Sequence, residues 1–120
     1  MSICVAVTDN NEGTAALQAA ASEAGRQGVQ LLAVNLTASD LDTSPLTQDV
    51  QVEVVVPRAA SNLDEVEQVL KVIEDHPDVT LLVVGVRKRS PIGKVVLGSI
   101  PQRLILDAPV PVLSVKDDDA

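Results

Sequence analysis

Apolar positions along the chain fall into short unbroken runs, separated by stretches that repeat at helical spacing. "SICVAVT" (2–8) is continuous and β-branched, the signature of a strand buried on both faces. Residues 12–27, "EGTAALQAAASEAGRQ", are rich in good helix formers and stop at Gly28, so a helix is predicted there. "VQLLAVNL" (29–36) reads as a second buried strand. "TASDLDTSPLTQD" (37–49) is polar, turn-rich and aperiodic, and reads as a loop. "VQVEVVV" (50–56) is a third strand, with Gln51 and Glu53 on one face as on a partly exposed edge. From Ser61 the period changes. Leu63, Val66, Leu70 and Ile73 recur every three or four residues with Val69 beside them, and Ser61 and Asp64 form an S-x-x-D cap, predicting a helix that closes near His76-Pro77. "VTLLVVG" (79–85) is a fourth strand, a short helix spans about Ser99 to Asp107, and "PVPVLSV" (109–115) is a fifth strand.

Strands alternating with helices through short connections imply parallel pairing, right-handed crossovers and helices on both faces. The expected fold is therefore α/β, an open five-stranded parallel doubly wound sheet in one domain (1–116), with a disordered acidic tail at 117–120. In such sheets ligands bind beyond the carboxyl ends of the strands, where the strand order reverses. The first and fourth strands flank that point. The residues leaving them are Thr8-Asp9-Asn10 and Gly85-Val86-Arg87.

Composition narrows the chemistry. The chain has 120 residues, 46% of them apolar, yet no Phe, Tyr or Trp. Its core must be aliphatic, and it offers no ring on which bases of single-stranded nucleic acid would stack. Nine Lys+Arg stand against seventeen Asp+Glu, a net charge of −8, which argues against duplex DNA as a partner. One His and one Cys make no zinc site, and Cys4, within "ICVAV", reads as a buried structural thiol. No apolar run approaches the roughly 20 residues that span a bilayer, and no signal peptide is read, so no membrane partner and a cytoplasmic location are expected.

Against this acidic background, residues 83–103 carry Arg87, Lys88, Arg89, Lys94 and Arg103, no acidic residue, and three of the six glycines. Gly85 after a strand permits a turn and close approach of a ligand. Gly98-Ser99 opens a helix with free backbone N–H groups, the positive end of its dipole and a hydroxyl, a combination that suits phosphate. Bland readings stand beside these: Gly98-Ser99 as a plain N-cap, Arg87 to Arg89 as a solvated loop, Asp9 as the cap of the first helix. No P-loop and no G-x-G-x-x-G follows the first strand, and no nucleophile–base pair is visible, so no catalytic residue is assigned.

The segment resembles the nucleotide-binding loop of the universal stress protein family, G-x-x-G-(nine residues)-G-(S/T). Gly85 matches the first glycine, Gly98 the third and Ser99 the hydroxyl, while Lys88 stands where the second glycine belongs. The first strand ending at Asp9, the second strand "LLAVNL" and the closing "DAPVPVLSV" are similar as well, so the likeness covers essentially the whole chain. It implies a Rossmann-like sheet of the adenine nucleotide alpha hydrolase type, strand order 3-2-1-4-5. It also implies ATP or AMP as ligand, with Asp9 (beside Thr8) and the backbone of Val34 holding the nucleoside. Gly85, Gly98 and Ser99 would line the ribose and phosphates, with Arg87 and Lys88 supporting as cations. Mg²⁺ would arrive only with the nucleotide, any ATP hydrolysis would be slow, and the role would be regulatory in the stress response. Residues 109–115 are the expected homodimer contact. The alternative is a module of the same fold that binds no nucleotide and whose basic loop engages another anion or an acidic partner.

Overall fold

The structure is a computed structural model that describes residues 1–46, 50–57, 63–88, 95–96 and 98–117. Its elements are β1 (Ser2–Val7), α1 (Asn11–Gln27), β2 (Gln30–Asn35), β3 (Val52–Val55), α2 (Glu65–Asp75), β4 (Val79–Lys88), β5 (Val95–Val96), α3 (Ser99–Asp107) and β6 (Val112–Asp117). Five strands are parallel in the order β3-β2-β1-β4-β6. Since β6 is the fifth parallel strand along the chain, this is the expected 3-2-1-4-5 sheet.

The addition is β5, two residues antiparallel to the end of β4, with Val96 opposite Arg87 and Val95 opposite Lys88. At Arg87 one edge of β4 is already taken by Asp117 of β6, so β5 lies on the other edge, which β1 occupies lower down. Pairing on both edges explains why β4 continues to Lys88 rather than turning after Gly85. The last strand also shifts from its predicted span. Pro111 still accepts a bond from the Leu82 N–H, but the strand itself runs from Val112 to Asp117.

The sheet's alternation sorts its side chains between two cores. Ile3, Val5, Val7, Leu31, Ala33 and Val83 meet Ala16, Leu17, Ala20, Ala21 and Ala24 of α1, whose small side chains bring that helix close to the sheet. Cys4, Ala6, Leu32, Val34, Leu82 and Val84 meet Val66, Val69 and Ile73 of α2 and Leu104 of α3. Every residue of β1 is buried, as its unbroken apolar run requires. Burial pushes the Cys4 thiol up to about 12, so it stays protonated and inert.

Helix α1 ends at Gly28 in the left-handed conformation (φ 68°), with the Val29 N–H closing onto the Ala24 carbonyl. The start of α2 differs from the sequence expectation. Asp64 is itself the N-cap, accepting the Glu67 N–H at 2.8 Å while the Glu67 carboxylate accepts the Asp64 N–H, a full capping box. Ser61 lies outside the described residues. With the helix beginning at Glu65, Leu63 precedes it and is exposed, and the buried stripe is Val66, Val69 and Ile73.

Candidate functional site

The carboxyl ends of β1 and β4 and the starts of α1, α2 and α3 converge on one cavity of about 470 Å³. That volume is within the range of about 300–1,000 Å³ usual for small-molecule sites. Its wall consists of Thr8, Asp9 and Asn10 after β1, Glu12 of α1, Leu36 after β2, Glu65 of α2, Gly85, Val86 and Arg87 of β4, and Gly98, Ser99, Ile100 and Pro101 at α3. Six of the eight residues expected from sequence therefore meet: Thr8, Asp9, Gly85, Arg87, Gly98 and Ser99. Val34 is wholly buried under α2 and is not in the wall; Leu36, two residues on, takes the place at the end of β2. Lys88 ends β4, and its side chain lies outside the described residues.

Local chemistry decides which groups remain for a ligand. Asn10, not Asp9, caps α1: its Oδ1 accepts the Gly13 N–H at 2.9 Å and the Thr8 hydroxyl at 2.7 Å. Asp9 is thereby left exposed in the cavity wall. The start of α2 is closed by its capping box. Helix α3 differs, because its N-cap Gly98 makes no side-chain cap bond. Pro101 has no N–H, so the donors there are the Ser99 and Ile100 amides, which form the positive end of the helix dipole, together with the Ser99 hydroxyl.

Gly85 has a different reason from the one its sequence position suggests. The strand runs straight through it, and a Cβ there would lie 2.0 Å from the Glu12 carbonyl oxygen. The close approach it permits is that of the chain's own α1. Gly13 does the same against Thr8, whose carbonyl oxygen would be 2.0 Å from an added Cβ. Together these glycines let α1 start directly upon β1 and β4, which forms the cavity floor.

Leu36 was missed by sequence reading, although the loop that holds it carries a signal. Buried Asn35 accepts the Thr37 N–H at 2.9 Å and the Thr37 hydroxyl at 2.6 Å, and donates to the Ser39 carbonyl at 2.8 Å. An Asn followed by Thr two residues later is the mark of such an Asx-type turn. Glu12 and Glu65 have no comparable signal. They reach the cavity only because two helices begin there. Among the described residues the wall thus holds three carboxylates, Asp9, Glu12 and Glu65, against the guanidinium of Arg87. No group of three His, Cys, Asp or Glu among the described residues is placed to hold a metal ion.

A doubly wound parallel sheet with a cavity at its switch point is the arrangement in which such folds bind ligands. Residues 58–116 match the universal stress protein family. A universal stress protein of Mycolicibacterium smegmatis is 38% identical over 117 residues, covering 87% of this chain and 88% of that one. Among solved structures, a universal stress protein from Archaeoglobus fulgidus has a TM-score of 0.75 at 26% identity, covering 97% of this chain and 98% of its own. A universal stress protein from the same organism in complex with dAMP has a TM-score of 0.70 at 20% identity, covering 97% and 98%. The chain belongs to the universal stress protein family.

Proposed function

We propose that this chain binds an adenine nucleotide, AMP or ATP, in the cavity between β1, β4 and α3, and acts through that binding as a regulator in the stress response. The observation that carries this reading is the uncapped start of α3, whose Ser99 hydroxyl and two amides open into the same cavity as Asp9 and Arg87. The phosphate sits on Ser99 and Ile100 with Arg87 beside it. Asp9 accepts the ribose hydroxyls, a carboxylate being an acceptor only. With no aromatic residue in the chain, the base packs on aliphatic walls, for which Leu36, Val86 and Ile100 are placed. The dAMP complex of the Archaeoglobus fulgidus relative supports the ligand class. Mg²⁺ enters only on the nucleotide, offsetting the acidic wall. Any ATP hydrolysis is slow in this reading.

Assembly as a homodimer through β6 belongs to the same reading. β6 pairs only with β4 among the described residues, and Leu113 on that strand is exposed.

Equilibrium titration with AMP, dAMP, ATP and cyclic AMP tests the ligand. Binding tighter than about millimolar is expected for at least one adenine nucleotide. Ser99→Ala combined with Arg87→Ala is expected to weaken it by about 2–4 kcal/mol, the loss of charge-assisted hydrogen bonds. Absence of binding by the unaltered chain overturns the reading, and unchanged affinity in the double variant moves the site elsewhere.

A further inference from the structure

The starts of α2 and α3 flank the cavity, and one ion pair joins them. Arg103 Nη1 donates to Asp64 Oδ2 at 2.8 Å, with both side chains about half exposed. Asp64 caps α2 and immediately precedes Glu65, which lines the cavity. Arg103 stands four residues after Ser99, so the two share one face of α3. Helical side chains lean towards the N-terminus of their helix, and the Arg103 stem therefore runs towards Ser99 and the cavity rim. The guanidinium is not itself in the wall.

Two further observations give this pair a meaning beyond a strap between helices. An anion entering the cavity meets three carboxylates and the single described guanidinium of Arg87, so another cation at the rim is electrostatically favoured. The Asp64 carboxylate also holds the Glu67 N–H through its other oxygen, Oδ1, at 2.8 Å. Asp64 can therefore release Arg103 and still cap α2. A guanidinium presents five N–H donors in a planar fork, matched to a phosphate as well as to a carboxylate.

We propose that Arg103 is a phosphate-binding arm of this cavity, parked on Asp64 in the free protein and transferred to the nucleotide phosphate at Ser99 on binding. The inference rests on the proposed nucleotide site and adds its selectivity. Asp64 competes with the ligand for one guanidinium, so the arm rewards a phosphate and gives nothing to a nucleoside. The transfer is a side-chain rotation about an exposed stem and requires no change in the backbone.

The sign of two substitutions separates an arm from a strap. Asp64→Asn retains an N-cap acceptor, since Asn caps helices as well as Asp does, but it no longer holds the guanidinium by charge. Calorimetric titration of the full chain with AMP and with adenosine is the experiment, on the unaltered protein, Arg103→Gln and Asp64→Asn. Arg26→Gln is the control, the same charge removed at the far end of α1. Arg103→Gln is expected to weaken AMP about tenfold or more, the effect of losing a charged hydrogen bond, with adenosine unchanged. Asp64→Asn is expected to tighten AMP about threefold by releasing the competing partner, again with adenosine unchanged. Retained adenosine affinity shows that each variant keeps its fold.

The arm is overturned if Arg103→Gln binds AMP as the unaltered protein does, or if both variants weaken AMP and adenosine alike, as a strap would. It is equally overturned if Arg26→Gln reproduces the Arg103→Gln loss, which reports net charge alone. If the unaltered chain binds neither ligand, the proposed function fails and the arm with it. If it binds AMP and only the variant pattern is absent, the arm alone fails.

Discussion

A methyl group at Gly85 has no space, because the Glu12 carbonyl already occupies the position it would take. That carbonyl belongs to the first turn of α1, which cannot yield without lifting the helix from β1 and β4. Gly85→Ala is therefore expected to destabilise the fold by about 3 kcal/mol, at the upper end of core overpacking, read as a lowered midpoint in chemical denaturation. A variant as stable as the parent would mean that α1 does not start against β4. Gly85 was legible in the sequence as a necessary glycine, but not the reason for it. Its neighbour in space, Glu12, is 73 positions away along the chain and has no local pattern pointing to it. Asp9 shows the reverse case. Either Asp9 or Asn10 was chemically able to cap α1, and only the Thr8 and Gly13 contacts of Asn10 show which residue is committed and which is left for a ligand.

Among the elements, α3 was read from sequence with its observed bounds, because Gly98 before it and Ala108-Pro109 after it punctuate it clearly. Helix α2 was found as a helix but given the wrong cap. Ser61-x-x-Asp64 and Asp64-x-x-Glu67 both satisfy the capping pattern, and their difference lies in where the buried stripe begins. Strand β5 was missed. Two residues carry no period, and it exists as a strand only through its pairing with the end of β4.

The contact between α2 and α3 carries a pH signature. The Glu67 N–H, first, and the Arg103 guanidinium, second, hold the Asp64 carboxyl below its ordinary value of 3.8. A folded-state value below the unfolded one contributes stability above the unfolded value, and that contribution is lost as pH falls through the depressed folded value. Melting temperature is therefore expected to fall below about pH 4 with a part assignable to Asp64, and Asp64→Asn is expected to have a shallower acid slope. Parallel slopes in the two proteins would show that Asp64 bears no net proton linkage.

At the scale of the whole molecule, the parallel doubly wound sheet followed from the alternation of strands and helices, while the order 3-2-1-4-5 came with the resemblance to the family. The cavity lined by Asp9 and Gly85 lies where that order reverses, because β1 and β4 are neighbours whose connections leave in opposite directions. The proposed homodimer uses the edge of β6 that has no strand partner among the described residues. Residues of a strand present their N–H and C=O groups to alternate sides, and Pro111 faces β4, so Val112, Ser114 and Lys116 face outward. Ser114→Pro removes an outward N–H while leaving the ladder to β4, and it is expected to convert a dimer to a monomer in size-exclusion chromatography with light scattering. A variant that remains dimeric would place the contact elsewhere.

In the proposed function an adenine nucleotide occupies the cavity between Asp9 and Ser99. Amide chemical-shift mapping of the ¹⁵N-labelled full chain during titration with AMP tests it most directly. Saturable shifts are expected at Asp9, Asn10, Leu36, Arg87, Ser99 and Ile100, with the carboxyl ends of α1 and α2 unmoved. Shifts absent at millimolar AMP, or centred on any other part of the sheet, would contradict it.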